Sequence, residues 1–146
     1  MVPGQLSELS EGMTLPEIKK DIIQENINLY AEASRDFNPI HIDQEFAGKT
    51  PLGGTIAHGM LVLAYVSQLM TAAFGRNWLV AGKLDVRFRA PARPGDVITV
   101  SGRITGTDKS EGQTLVRYDV LCSNQTGDSI ITGEARVGVK NNENSD

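Results

Sequence analysis

Cysteine and aromatic residues are scarce in this 146-residue chain, and it has no excess of basic residues. Cys122 is the only cysteine, so a disulfide framework is excluded. The chain has 14 Lys and Arg against 18 Asp and Glu, so it lacks the positive charge that nucleic-acid binding requires. Two histidines and one cysteine could form a tetrahedral zinc site only with several carboxylates, so we predict no metal site.

Motifs for nucleotide binding and serine hydrolysis are also absent. The sequence contains no Gly-x-Ser-x-Gly elbow, no Gly-x-Gly-x-x-Gly turn and no P-loop. Cys122 falls on the apolar side of a predicted strand, which indicates a core thiol rather than a nucleophile. No secretory signal is evident near the first residue, so we expect a cytoplasmic protein.

The longest apolar stretch covers residues 55–74 and is apolar on every side. Such a helix is buried in a core or crosses a membrane. We predict a central core helix without membrane contact, because no Lys or Arg cluster flanks the stretch and polar residues interrupt it. These are His58, Tyr65, Ser67, Gln68 and Thr71. The first turn, with Gly59 allowing close approach to unpaired N–H groups, predicts an oxyanion site.

The remaining pattern predicts helices first and strands afterwards, which is typical of a single α+β domain. Residues 14–20 suit an edge strand, and Asp21 is a candidate N-cap for a helix that ends near Ser34. Asp43 can cap a short turn over residues 44–48. Beyond Gly75 the pattern alternates, and it predicts strands over residues 83–89, 97–105, 114–122 and 129–139. We expect consecutive strands to pair antiparallel, because their connections are short.

Asp36, Asn38 and His41 form a polar cluster after the first helix. Asn38 precedes a proline, so the helix must break there. Each residue alone is more often structural, because Asp and Asn before proline usually make side-chain turns. Held together by a stiff turn, however, Asp36 and His41 can form an acid–base pair near neutral pH. With Gly59 as an oxyanion donor, the set suits chemistry beside a thioester carbonyl.

Two segments resemble the MaoC-like dehydratases and (R)-specific enoyl-CoA hydratases. The first covers residues 30–43 and contains Asp36-Phe37-Asn38-Pro39-Ile40-His41. The second is Ala57-His58-Gly59-Met60-Leu61, which looks like the start of that family's central helix. The resemblance implies a hot-dog fold over residues 14–139, an antiparallel sheet wrapped around one long helix. It leaves an N-terminal segment over residues 1–13 and a polar tail over residues 140–146.

The resemblance also implies a reaction, the reversible syn addition of water to a trans-2-enoyl thioester. Asp36 and His41 would hold the water, and the Gly59 N–H would bind the thioester oxygen. Asn38 would brace the loop, and the predicted substrate-binding residues are Asn38, Phe37, His58, Met60 and Ser67. No cofactor is implied, because coenzyme A or acyl carrier protein is part of the substrate. A homodimer or dimer of dimers is expected, with the sheets joined side by side.

Three functions stay open at this point. The first is an (R)-specific enoyl-CoA hydratase, and the second is a 3-hydroxyacyl-ACP dehydratase. The third is a non-catalytic acyl-thioester-binding subunit, against which the intact Asp36 and His41 pair counts. One departure from the family is Arg35, where many members have Gly, and we expect activity to survive this change. Lys83, Arg87, Arg89 and Arg93 are candidates for the coenzyme A phosphates, although exposed strand charges are usually only solvated.

Overall fold

The computed structural model describes residues 9–141. Residues 1–8 of the predicted N-terminal segment and residues 142–146 of the predicted tail lie outside this range. The described residues form five strands and five helices: β1 (Ile18–Asp21), α1 (Gln24–Ser34), α2 (Pro39–Ile42), α3 (Gln44–Gly48), α4 (Gly59–Phe74), α5 (Arg76–Ala81), β2 (Gly82–Phe88), β3 (Val97–Ser110), β4 (Gln113–Ser123) and β5 (Ser129–Lys140). Among them, no helix is both long and apolar enough to cross a membrane.

All strand pairs in the sheet are antiparallel, and the strand order is β1-β3-β4-β5-β2. The predicted pairing of neighbours is confirmed for β3 with β4 and for β4 with β5. It is wrong for β2, which pairs with β5 at the far edge instead of with β3. The connection over residues 89–96 is therefore not a hairpin between β2 and β3. It passes near the start of α4, where the Ala92 carbonyl accepts a hydrogen bond from the Ala57 N–H.

Helix α4 packs against one face of the sheet, as the central-helix prediction requires. Its buried side chains meet a sheet face on which Tyr118 and Cys122 are fully buried. Burial raises the pKa of both the Tyr118 hydroxyl and the Cys122 thiol to about 12. The thiol is therefore protonated at neutral pH and fills the core.

The central helix begins at Gly59, later than the predicted residue 55. The Ile56 N–H donates to the Ile40 carbonyl and the Ala57 N–H to the Ala92 carbonyl, so these residues are held by partners outside the helix. His58 has extended backbone angles, φ −58° and ψ 134°, and serves as the N-cap. The segment just before the helix is therefore hydrogen-bonded to α2.

Three other predictions about elements are corrected. Asp21 ends β1 and is not an N-cap, since α1 begins at Gln24 after Ile23 with no side-chain cap. Helix α5 was not predicted, because the short segment between Gly75 and β2 offers too few residues for a periodicity to emerge. β3 extends to Ser110, beyond the strand predicted over residues 97–105, because ladder hydrogen bonds depend on the backbone rather than on the polarity of residues 107–110.

Candidate active site

The end of α1 sets the direction of the loop that carries Asp36. Arg35 has φ 63° and ψ 20°, the left-handed conformation that ends many helices and that glycine adopts most readily. It is the one non-glycine residue with positive φ among residues 9–141. The Ser34 hydroxyl oxygen accepts a hydrogen bond from the Asp36 N–H at 3.2 Å. The arginine with positive φ therefore lies in the same turn that orients Asp36.

Two side-chain turns follow and orient the Asp36 carboxylate. Asp36 Oδ1 accepts from the Asn38 N–H, and Asn38 Oδ1 accepts from the Ile40 N–H, each at 3.2 Å. Asn38 is the N-cap of α2, and Pro39 occupies the first helical position, where its missing N–H costs nothing. With Oδ1 engaged, Oδ2 is the carboxylate oxygen that faces His41. Asn38 thus braces the loop through local hydrogen bonds.

His41 lies on α2 with its ring largely buried. Nδ1 lies 2.8 Å from the Ile56 carbonyl oxygen, which can only accept, so Nδ1 carries the proton in the neutral ring. Nε2 then holds a lone pair and lies 3.9 Å from Asp36 Oδ2. This distance is too long for a direct hydrogen bond. If a water oxygen lies within hydrogen-bond distance of both atoms, the angle Oδ2–water–Nε2 is roughly 90°, which is close to the angle between the two O–H bonds of water.

His58 contacts both Asp36 and His41. It is 2% exposed, and its Nε2–H donates to the Asp36 carbonyl oxygen at 3.0 Å. Its ring stacks on the His41 ring with centroids 3.9 Å apart and planes 26° apart, and Tyr30 packs on it at 4.8 Å. His58 Nδ1 is buried without a hydrogen-bond partner in the described part of the chain. His58 is therefore placed to hold the Asp36 backbone and the His41 ring.

Asp36, His41 and His58 are also the group of side chains that could hold a metal ion, with one ligand atom from each within 4.8 Å of the others. Imidazole lone pairs lie in the plane of the ring. The two rings are stacked and nearly parallel, so their lone pairs do not converge on one point. The arrangement suits a stacked pair better than a chelate.

The N-terminus of α4 opens beside this cluster. The His58 carbonyl accepts from the Leu61 and Val62 N–H groups, whereas the Gly59 and Met60 N–H groups have no partner within residues 9–141. Gly59 lines a cavity of about 350 Å³. The cavity wall is apolar apart from Arg89 and consists of Leu52, Ile56, Ala57, Gly59, Val62, Phe88, Arg89, Ala90, Pro91, Ala92, Ile130 and Ile131. Ile56 joins the two parts of the site, because its carbonyl oxygen holds His41.

The other predicted site residues lie at different distances from this centre. Phe37 and Met60 are each about half exposed beside Asp36 and Gly59. Ser67 is half-buried and lies roughly 12 Å further along α4, outside the cavity lining. Sequence reasoning missed Ile56, because its contribution is a backbone carbonyl for which no side chain gives a signal.

Comparisons with known proteins identify the family of this chain. The sequence model described as a MaoC like domain matches residues 7–139. The chain belongs to the MaoC-like dehydratase family. This MaoC-like protein is 32% identical over 144 residues to a 3-hydroxybutyryl-CoA dehydratase of Methylorubrum extorquens, covering 95% of this chain and 86% of the relative. It is 30% identical over 132 residues to an (R)-specific enoyl-CoA hydratase of Rhodospirillum rubrum, covering 90% and 89%.

A solved structure extends the similarity to three dimensions. The (R)-hydratase from A. caviae superposes with a TM-score of 0.78 at 26% identity, covering 89% of this chain and 96% of the other. The prediction of a hot-dog α+β domain is confirmed. The prediction of a hydro-lyase is confirmed as well, because the relatives are named hydratases and dehydratases.

Proposed function

We propose that this MaoC-like protein is an (R)-specific enoyl-CoA hydratase, which reversibly hydrates trans-2-enoyl-CoA to (R)-3-hydroxyacyl-CoA. The observation that carries the proposal is the gap of 3.9 Å between Asp36 Oδ2 and the unprotonated His41 Nε2, next to the free N-terminus of α4. The name of the Rhodospirillum rubrum relative supports the (R) configuration. The name of the Methylorubrum extorquens relative describes the reverse direction of the same reaction.

Asp36 and His41 would activate one water between them. Both facing atoms are hydrogen-bond acceptors, so the water donates a proton to each and turns its oxygen lone pair toward the substrate. The oxygen attacks C3 of the enoyl group as one residue removes a proton, and the same residue then delivers that proton to C2 while the other residue holds the remaining O–H of the new hydroxyl. Because both groups lie on one side of the substrate, the addition is syn. General acid–base catalysis of this kind contributes about 10²–10⁴-fold.

The Gly59 N–H would stabilise the enolate that forms on the thioester. It carries partial positive charge as the first residue of a 16-residue helix, and it has no internal partner. Gly59 also lacks a side chain that would keep the carbonyl away. One such donor is worth about 2.7–4 kcal/mol of transition-state stabilisation.

The apolar cavity beside Gly59 would receive the apolar part of the thioester. Phe37 and Met60, which are about half exposed next to Asp36 and Gly59, are proposed to contact the substrate outside the cavity, and His58 is proposed to act through Asp36 and His41. Ser67 stays a predicted contact for longer acyl chains only. Among the basic candidates for the carrier phosphate, Arg89 lines the cavity and its Nε donates to the Thr132 hydroxyl at 3.0 Å. Arg93 donates to the Leu52 carbonyl through a terminal guanidinium nitrogen.

We propose a homodimer in which the β2 edges of two copies meet. β2 is an edge strand of the sheet, and the preceding helix exposes Leu79 and Val80 at 75% and 74%. Two neighbouring leucine and valine side chains this exposed are typical of an interface. Sedimentation of the wild type should give a dimer, and Val80→Asp should shift it toward monomer. A monomeric wild type at micromolar concentration would contradict the dimer.

The proposed reaction uses only water and the thioester, so we propose that it requires no metal and no redox cofactor. Dialysis against a chelator should leave kcat unchanged. A loss of activity that Zn²⁺ or Mg²⁺ restores would contradict this part of the proposal. A cytoplasmic location stays a prediction from composition.

The function is tested by incubating the protein with crotonyl-CoA and resolving the product on a chiral column. We expect consumption of the enoyl thioester and formation of (R)-3-hydroxybutyryl-CoA. Free thiol is measured in parallel, because its release would indicate a thioesterase. Preferred turnover of the acyl carrier protein thioester would favour the 3-hydroxyacyl-ACP dehydratase. Binding of acyl-CoA without any turnover would favour the non-catalytic subunit.

A further inference from the structure

Gln24, Thr55 and Gln44 form a polar network behind the site. Thr55 is 3% exposed, and its hydroxyl oxygen lies 2.7 Å from Gln24 Oε1 and 2.9 Å from Gln44 Oε1. Gln44 Oε1 also accepts from the Thr55 N–H at 3.1 Å. Gln24 Nε2 faces two acceptors, the His41 carbonyl at 2.7 Å and Asn28 Oδ1 at 2.9 Å. The donors and acceptors therefore fix the orientation of the Gln24 amide.

The network ends on His41, which lies on a helix of only one turn. α2 covers four residues and cannot hold its own geometry by internal hydrogen bonds. The His41 carbonyl is one of the helix's unpaired C-terminal acceptors, and Gln24 satisfies it. The opposite side of His41 is held by the residue after Thr55, because Ile56 accepts from His41 Nδ1–H and donates to the Ile40 carbonyl.

We propose that Gln24 and Thr55 are positioning residues for His41. Gln24 fixes the His41 backbone, Thr55 fixes the Gln24 amide, and the Thr55–Ile56 segment fixes the imidazole. The three contacts form a closed ring that sets the direction of the Nε2 lone pair toward Asp36. This inference rests on the proposed hydratase function. A misplacement of about 1 Å can lower a rate about 10²-fold, so breaking the ring should lower kcat without preventing substrate binding.

The test compares Gln24→Met and Thr55→Val with two matched controls. Thr55→Ser keeps the hydroxyl, and Asn28→Ala removes only the exposed partner of the same Gln24 amide. We expect Gln24→Met and Thr55→Val to lower kcat for crotonyl-CoA at least tenfold per folded molecule, with KM changed less than threefold. Thr55→Ser and Asn28→Ala should stay within threefold of the wild type. A kcat within twofold of the wild type for both folded test variants would overturn the proposal.

A second measurement is independent of turnover. The nitrogen chemical shifts of the His41 ring distinguish the protonated nitrogen from the bare one. We expect the wild type to show a proton on Nδ1 alone, and Thr55→Val to show averaging between the two tautomers. If crotonyl-CoA is not a substrate, the proposed function fails, but these shifts still decide the positioning role. Identical shifts in both proteins would refute it. If Gln24→Met does not fold, Gln24→Asn is used in its place, because asparagine keeps the amide but has a shorter side chain.

Discussion

Replacement of Gly59 by alanine should separate the stability of the fold from access to the helix N-terminus. A Cβ at this position would lie 3.0 Å from Cδ1 and Cε1 of Phe88, closer than real Cβ atoms usually come. Phe88 is 54% exposed, so its ring can move. We expect displacement of the ring to cost about 0.5–1.5 kcal/mol, offset by about 0.5–1 kcal/mol from removing glycine from a helix. The free energy of unfolding should therefore change by less than about 1 kcal/mol.

Activity should respond much more strongly. The new methyl group would occupy the cavity that Gly59 and Phe88 share, where the thioester oxygen must approach the Gly59 N–H. Because the contribution of one oxyanion donor sets the scale, kcat/KM for crotonyl-CoA should fall about 10²-fold. Gly48→Ala is the matched control, since a Cβ there meets nothing within 4 Å. Phe88→Ala in the Gly59→Ala background should relieve the close contact but not restore activity. A Gly59→Ala protein that is folded and retains kcat/KM within threefold would refute the oxyanion role.

Three further changes test other parts of the structure. Arg35→Gly should stabilise the protein by about 0.5–1 kcal/mol in urea unfolding, because relief of left-handed strain exceeds the entropy that glycine adds to the unfolded chain; a destabilised variant would contradict this. The Cys122 thiol has a folded pKa raised from 9.0 to about 12, so its stabilising contribution is complete below pH 9 and lost as the pH rises from 9 toward 12. Between pH 8 and 10 the wild type should therefore lose about 1.4 kcal/mol more than Cys122→Val, and equal losses would argue against the buried thiol. Ser67→Ala should change KM for crotonyl-CoA less than threefold but raise KM for longer enoyl-CoA substrates. Equal effects on KM for short and long substrates would show that Ser67 does not contact the acyl chain.

The order of elements could be read from the sequence because it depends on local patterns. Asp43 caps α3 through its hydrogen bond with the Phe46 N–H, as its position before a short turn predicted. Asn38 has the extended angles φ −55° and ψ 127° that a following proline requires, although α1 already ends at Ser34. The alternation along β4 correctly predicted its buried face, including Tyr118 and Cys122.

Features that depend on contacts between distant parts of the chain could not be predicted from the sequence. The pairing of β2 with β5 depends on how the connection over residues 89–96 packs near α4, and no local signal encodes that. The network from Gln24 to His41 joins residues 17 positions apart through a glutamine, a residue type that is usually solvated. The stacking of His58 on His41 likewise follows from the tertiary fold. The motif indicated which residues carry the chemistry, but not what holds them in place.

The central claim is that Asp36 and His41 act together on one water. The direct measurement is kcat/KM for crotonyl-CoA in the wild type, Asp36→Asn, His41→Ala and the double variant, with Asp119→Asn as an exposed carboxylate control. We predict that each single change lowers kcat/KM about 10²–10⁴-fold in a folded protein, and that the double variant is no more than threefold worse than the poorer single one. Near-normal turnover by both single variants, or losses that multiply in the double variant, would contradict a shared water.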